Sequence, residues 1–166
     1  MATISQIQVA VTTEGLETLA AMVANSTVFT LAKFRISDSG TEAEYESKKS
    51  YRALDPDAFY MDYTAADYDT GHGATIEKVE LYTHGISDVD GFITINSIEL
   101  ASDLITIEMG CYIPPTAGLT FTCNDIMVYT ELASAPGIYK SFIWGIFPEI
   151  TKNANYGINF RVLLQF

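Results

Sequence analysis

Ile158, Phe160, Val162, Leu164 and Phe166 occupy every second position of the last nine residues. A period of two sends consecutive side chains to opposite faces, so this segment reads as a strand with one apolar side. Asn159, Arg161 and Gln165 take the other side, and the C-terminus is expected to be tied into a sheet. The same period runs through Leu104–Ile113, where Ile105, Ile107, Met109, Cys111 and Ile113 share a face before Pro114-Pro115 stops the strand. It recurs in Val28–Ile36, with Phe34 and Ile36 together, and in Thr75–Tyr82, with Val79 and Leu81 facing one way. Further strands are read at Phe92–Leu100, after the turn Ser87-Asp88-Val89-Asp90-Gly91, and at Leu119–Glu131 and Ser141–Ile146.

Helical period is confined to Thr12–Ala24, where Leu16, Leu19, Ala20 and Val23 form one stripe. Thr12 or Thr13 can cap its start, Glu14 and Glu17 suit the positive end of the dipole, and Asn25-Ser26 closes it. Gly15 weakens it slightly. One helix and about seven strands give a mostly β chain with an N-terminal helix (α+β), an antiparallel β-sandwich or open barrel. Its 166 residues, 48% of them apolar, are expected to form a single domain over 1–166.

Charge narrows the partners. Nine basic and 21 acidic residues give −12, which repels nucleic acid and anionic lipid, so no nucleic-acid partner is expected. No apolar run approaches the roughly 20 residues that span a bilayer, so no membrane insertion is expected. The N-terminus lacks a basic n-region with an apolar h-region, and synthesis in a reducing cytoplasm is the expectation. Cys111 and Cys123 read as buried thiols on neighbouring strands, with pairing left open.

Residues 38–69 stand apart. Nine acids against Lys48, Lys49 and Arg52 leave this stretch at −6, half the charge of the chain, and it has no clear period. It reads as an acidic, tyrosine-rich insertion at about 38–73, lying on the surface and ordered by a partner. Tyr45, Tyr51, Tyr60, Tyr63 and Tyr68 are its candidate partner-contact residues, because tyrosine gives large contact area at low entropy cost. The same rings stack on sugars, so a carbohydrate-binding module for a cell-surface glycan is the alternative. A loop that folds its tyrosines back onto the domain is the plain reading of the same residues.

Motifs that could carry catalysis are weak. Asp38-Ser39-Gly40 and Asp69-Thr70-Gly71 have the form that supplies aspartic-protease carboxylates, but they lie 31 residues apart, too close to come from two lobes. Both read as strand-ending turns. Ser87–Gly91 resembles half a calcium loop without the closing bidentate Glu and reads as a β-turn, although the acidic insertion leaves Ca²⁺ open. His72 and His84, with no second histidine or cysteine at ligand spacing, read as solvated loop residues. No catalytic residue, metal site or cofactor is expected, and the chain is not expected to be an enzyme.

Several stretches in order resemble the N-terminal domain of the bacteriophage tail-collar fibre family. Thr12-Thr13-Glu14-Gly15-Leu16-Glu17-Thr18-Leu19-Ala20 is similar to its opening helix, and FTLAKFRISDSG occupies the place of a strand ending in a Gly-Asp-Gly-like turn, with Ser37 for the first Gly. INSIELASDLITIEMGCYIP is similar to its Asn-rich and alternating strands. Phe121-Thr122-Cys123-Asn124-Asp125-Ile126-Met127-Val128-Tyr129 matches a Phe-x-x-Asn-(Asp/Glu)-Ile-x-x-Tyr element, and the C-terminal stretch has the Pro-x-x-x-Lys and closing strand. The resemblance implies a structural virion component made in the host cytoplasm and located in the tail or baseplate. It implies a homotrimer whose partners are other tail, baseplate or fibre proteins of a phage or related contractile injection system. A whole fibre continues into a shaft and tip, so an adaptor carrying a fibre made by another chain is the expectation.

Overall fold

The computed structural model describes residues 2–4, 8–72 and 76–166. The first half runs β1 (Ala2–Ile4), β2 (Gln8–Val11), α1 (Thr13–Asn25), β3 (Phe29–Ser37), α2 (Glu42–Lys48), β4 (Lys49–Arg52), β5 (Asp55–Met61), α3 (Ala65–His72) and α4 (Ile76–Thr83). Six strands complete the chain: β6 (Ile93–Thr94), β7 (Ser97–Leu100), β8 (Thr106–Ile113), β9 (Phe121–Leu132), β10 (Tyr139–Lys152) and β11 (Ile158–Gln165). Strand predominates, and the fold is a β-rich α+β arrangement.

One sheet has the order β1-β11-β8-β7 and a second the order β2-β10-β9-β3-β6. Their ladders are antiparallel except that β1 runs parallel to β11. The alternation read in the sequence places the core between them. Met109, Cys111 and Ile113 from β8 and Ile158, Phe160, Val162 and Leu164 from β11 meet Phe34, Ile36, Ile126 and Val128 of the second sheet in one cluster. Phe34 and Phe160 touch edge to face at 6.5 Å. This is the sandwich.

The second sheet is buried on both faces. Along β9, Ile126 and Val128 point into the sandwich, while Met127 and Tyr129 enter another cluster with Trp144 and Ile146 of β10. That cluster also holds Tyr45, Met61, Tyr63 and Tyr68, all from the segment between β3 and α4. A strand covered on both sides carries apolar residues in sequence instead of alternating. Ile126-Met127-Val128-Tyr129 is such a run.

Several sequence readings are corrected. The 38–72 segment is not a surface loop but α2, the hairpin β4–β5 and α3, packed on the second sheet. Thr41-x-x-Glu44 begins α2, with the Thr41 hydroxyl accepting from the Glu44 N–H at 3.1 Å. Residues 76–82 of the expected strand Thr75–Tyr82 lie in α4 (Ile76–Thr83), with Leu81 buried, whereas Thr75 lies outside the described residues. Glu77, Lys78, Glu80 and Leu81 are good helix formers, which outweighs a short alternation. Phe92–Leu100 breaks at Ile95-Asn96, so that β6 pairs with β3 and β7 crosses to pair with β8. Cys111 and Cys123 are both buried but on β8 and β9, in different sheets rather than on neighbouring strands. Burial pushes the Cys111 thiol up to about 12.

Helix α1 forms where expected, with Thr12 accepting from Gly15 N at 3.1 Å and Ser26 closing it in the left-handed region. Its buried face is not the expected stripe. Gly15 and Thr18 are buried, whereas Val23 is 87% exposed. A Cβ at Gly15 would come within 2.5 Å of the Phe142 carbonyl oxygen, so this glycine is what lets the helix lie directly on β10. Of the expected stripe, Leu19 packs against the sandwich core and Leu16 is half-buried, while Ala20 and Val23 face solvent.

Candidate functional site

The polar centre of the second cluster is His72, the last residue of α3, at 4% exposure. Its Nε2 lies 2.9 and 3.0 Å from the two Glu44 carboxylate oxygens, and its Nδ1 lies 2.9 Å from Asp125 Oδ2. Carboxylates only accept, so the two contacts favour the imidazolium, in which both ring nitrogens donate; Ser37 Oγ also lies 2.7 Å from Nδ1. Burial alone lowers its pKa, but the hydrogen bonds and charges of Asp125 and Glu44 together outweigh burial and raise it. Tyr68, one turn earlier, stacks on the ring with centroids 4.7 Å apart.

Each carboxylate is held from a second side. Asp125 is fully buried and accepts from Ser37 Oγ and, at 3.1 Å, from Trp144 Nε1. Strand register explains the meeting: Ser37 is opposite Asp125 on β3, and Ile146, two residues beyond Trp144, is opposite it on β10. Glu44 accepts from the Tyr63 hydroxyl at 2.6 Å, and burial with that bond pushes the Tyr63 phenol well above its ordinary value. The network therefore ties α2, β5's end and α3 to β3, β9 and β10. Glu14 adds a second clasp, accepting from Ala65 N at 2.6 Å and Ser141 Oγ at 2.8 Å.

Ser37, His72 and Glu44 stand in the order hydroxyl, imidazole, carboxylate. Nucleophilic use needs substrate at the hydroxyl, and Ser37 is 1% exposed with its proton directed to Asp125. What this arrangement does is hold charge in place inside the molecule.

The residues singled out from sequence scatter. Tyr45, Tyr63 and Tyr68 are buried at 3%, 2% and 1%, which removes them from any contact surface. Tyr51 is exposed on β4, and Tyr60 is half-buried on β5. Asp38 follows the end of β3 as expected, but Asp69-Thr70-Gly71 lies within α3 and is not a turn, and Asp69 pairs with Arg35 at 3.1 Å. Asp88 accepts from the Asp90 and Phe92 N–H groups at 2.9 Å, closing the Ser87–Gly91 turn on itself. His72 is a core residue rather than a solvated one, and His84 ends near α4, with Nδ1 2.9 Å from the Glu80 carbonyl. Glu44, Asp125 and Trp144 were not anticipated. The signals for them were the capping pattern at Thr41 and an Asp inside the apolar run of β9.

The surface carries a different feature. An apolar groove of about 330 Å³ runs between α1 and the edge of the first sheet, lined by Leu19, Met22, Leu31, Ile98, Ile107 and Phe166 among others. Thr130, also in its lining, has a buried hydroxyl without a hydrogen-bond partner. Strand β7 forms the sheet edge here and is exposed along its length, with Ile98 and Leu100 at 45% and 60%. Val23, Leu104 and Phe166 are likewise exposed.

No protein-family model matches the chain, and no curated protein or solved structure does either. Among the described residues no helix is long and apolar enough to cross a membrane, and no group of three or more His, Cys, Asp or Glu side chains is placed to hold a metal ion.

Proposed function

We propose that the protein is an assembly module of a virion tail, which attaches a fibre to the tail or baseplate of a phage or a related contractile injection system, and that it works as a homotrimer. The observation that carries this reading is the apolar groove beside the open β7 edge. Exposed apolar grooves and unpaired strand edges are costly in water and characteristic of surfaces that a neighbour covers. Backbone groups on β7 offer the pairing, and Met22, Ile98 and Phe166 offer the apolar contact.

The resemblance to the tail-collar fibre family supports the same reading, because its positions have structural employment. Asn124 of the Phe-x-x-Asn-Asp-Ile-x-x-Tyr element accepts from Gly40 N at 2.9 Å and donates to Gly40 O at 2.8 Å, clamping the turn after β3. Asp125 holds His72, Ser37 and Trp144. Function here means interface physics.

Light scattering on a sizing column tests it. The expected mass is about 54 kDa, three copies of the 18.2 kDa chain, falling toward one copy when Ile98→Asp and Phe166→Asp are combined. A monomer at every concentration, or a trimer indifferent to that pair of charges, overturns the reading.

A further inference from the structure

We infer that a second pocket, on the opposite side of the second sheet from the sandwich core, binds a single neutral sugar ring. It has a volume of about 250 Å³ and brings Arg35 of β3, Asp69 of α3, Lys78 of α4, and Asp90, Phe92 and Tyr139 together. None of the five tyrosines expected to stack on a glycan lines it, and it stands independently of the assembly reading.

The pocket is built rather than incidental. Arg35 is 5% exposed and lies between two rings, 5.6 Å from the Tyr68 centroid and 5.2 Å from that of Phe92, with Nη1 donating to Asp69. Phe92 packs at 4.7 Å on Tyr139 and at 4.9 Å on Tyr129, which makes one wall aromatic. Gly91 has φ +86°, and a Cβ there would sit 3.2 Å from Lys78 Cγ and 3.6 Å from Arg35 Nε. Tyr129 also lines the pocket, with its hydroxyl buried beside Arg35.

Elimination identifies the occupant. Arg35 and Lys78 are offset by Asp69 and Asp90, so neither an anion nor a cation gains net attraction, and the −12 charge of the chain opposes an anion further. A purely apolar ligand would strand four charged groups. A polyhydroxylated ring matches every wall: its hydroxyls accept from Arg35 and Lys78 and donate to Asp69 and Asp90, and its C–H face covers Phe92 and Tyr139. The volume is below the roughly 300–1,000 Å³ of drug-sized sites, so the pocket takes one ring and not several.

Saturation-transfer NMR of the full chain with the methyl glycosides of glucose, galactose, mannose and N-acetylglucosamine is the test. At least one is expected to receive saturation with millimolar affinity, and Asp90→Ala and Tyr139→Ala should each weaken it by about tenfold or more while Tyr51→Ala leaves it unchanged. Circular dichroism of the variants separates lost binding from lost folding. No transfer to any of the four, or transfer that survives in both folded pocket variants, overturns the inference. So does binding of acetate or phosphate at Arg35 and Lys78 with no sugar bound.

Discussion

The two faces of the central sheet are buried by different means. On the sandwich side, Phe34, Ile126, Val128 and Phe160 pack against one another in a cluster that is nearly all hydrocarbon and aromatic. On the other side, Tyr45, Tyr63, Tyr68 and Trp144 surround a histidine held between two carboxylates. Apolar burial gains from each Å² removed from water and asks little of orientation. A buried ion network contributes only while every member is present and correctly protonated, because losing one leaves an uncompensated charge. The first core should therefore be indifferent to pH and tolerant of small changes, and the second sensitive to both.

Two truncations put that difference to work. Phe160→Ala should cost about 3–5 kcal/mol through lost burial and the cavity left, and the loss should be the same at pH 6 and pH 9. His72→Gln should cost a similar amount, about 3–5 kcal/mol, at pH 6, where Glu44 and Asp125 lose the charge between them. The sign of its pH dependence follows from linkage. The folded pKa of His72 is raised, so its stabilisation is complete below the unfolded value of about 6.5 and is lost as pH rises through the folded value. The difference between wild type and His72→Gln in urea titrations should shrink from pH 6 to pH 9. Glu44 from α2, Asp125 from β9 and the phenols of Tyr63 and Tyr68 are the titratable groups facing the ring.

Smaller effects sharpen the same contrast. Tyr63→Phe keeps the ring against Trp144 but removes the hydroxyl that Glu44 accepts from, at about 1.5–3 kcal/mol. Gly15→Ala should destabilise by about 1–3 kcal/mol although alanine is the better helix former, since its Cβ meets the Phe142 carbonyl oxygen and Val11 Cγ1. Thermal denaturation that instead shows Gly15→Ala to be stabilising would contradict the close approach of α1 to β10. Tyr51→Ala, on the exposed hairpin, should stay within about 0.5 kcal/mol of wild type.

The same contrast explains what could be read in the sequence. Where one face of a strand is buried and the other wet, as in β8 and β11, alternation reports the core directly, and Met109, Cys111, Ile158 and Phe160 are where the pattern puts them. The covering segment 38–72 buries only a few large aromatics per element, and the rest of each element is acidic surface. Its charge masks the tyrosines, and no period survives in α2 or α3, each two turns long. Polar core residues are harder still: His72, Glu44 and Asp125 come from three distant places and meet only where α2 and α3 pack on the second sheet. The continuous apolar runs of β9 and β10 were the legible clue that something covers that face.

NMR of the His72 imidazole nitrogens across pH tests the central claim most directly. Both nitrogens should show protonated, imidazolium shifts at pH 7, and the ring should titrate above the ordinary histidine value of about 6.5. A neutral ring at pH 7, with one nitrogen bare, would contradict the ion network and leave the second core to aromatic packing alone.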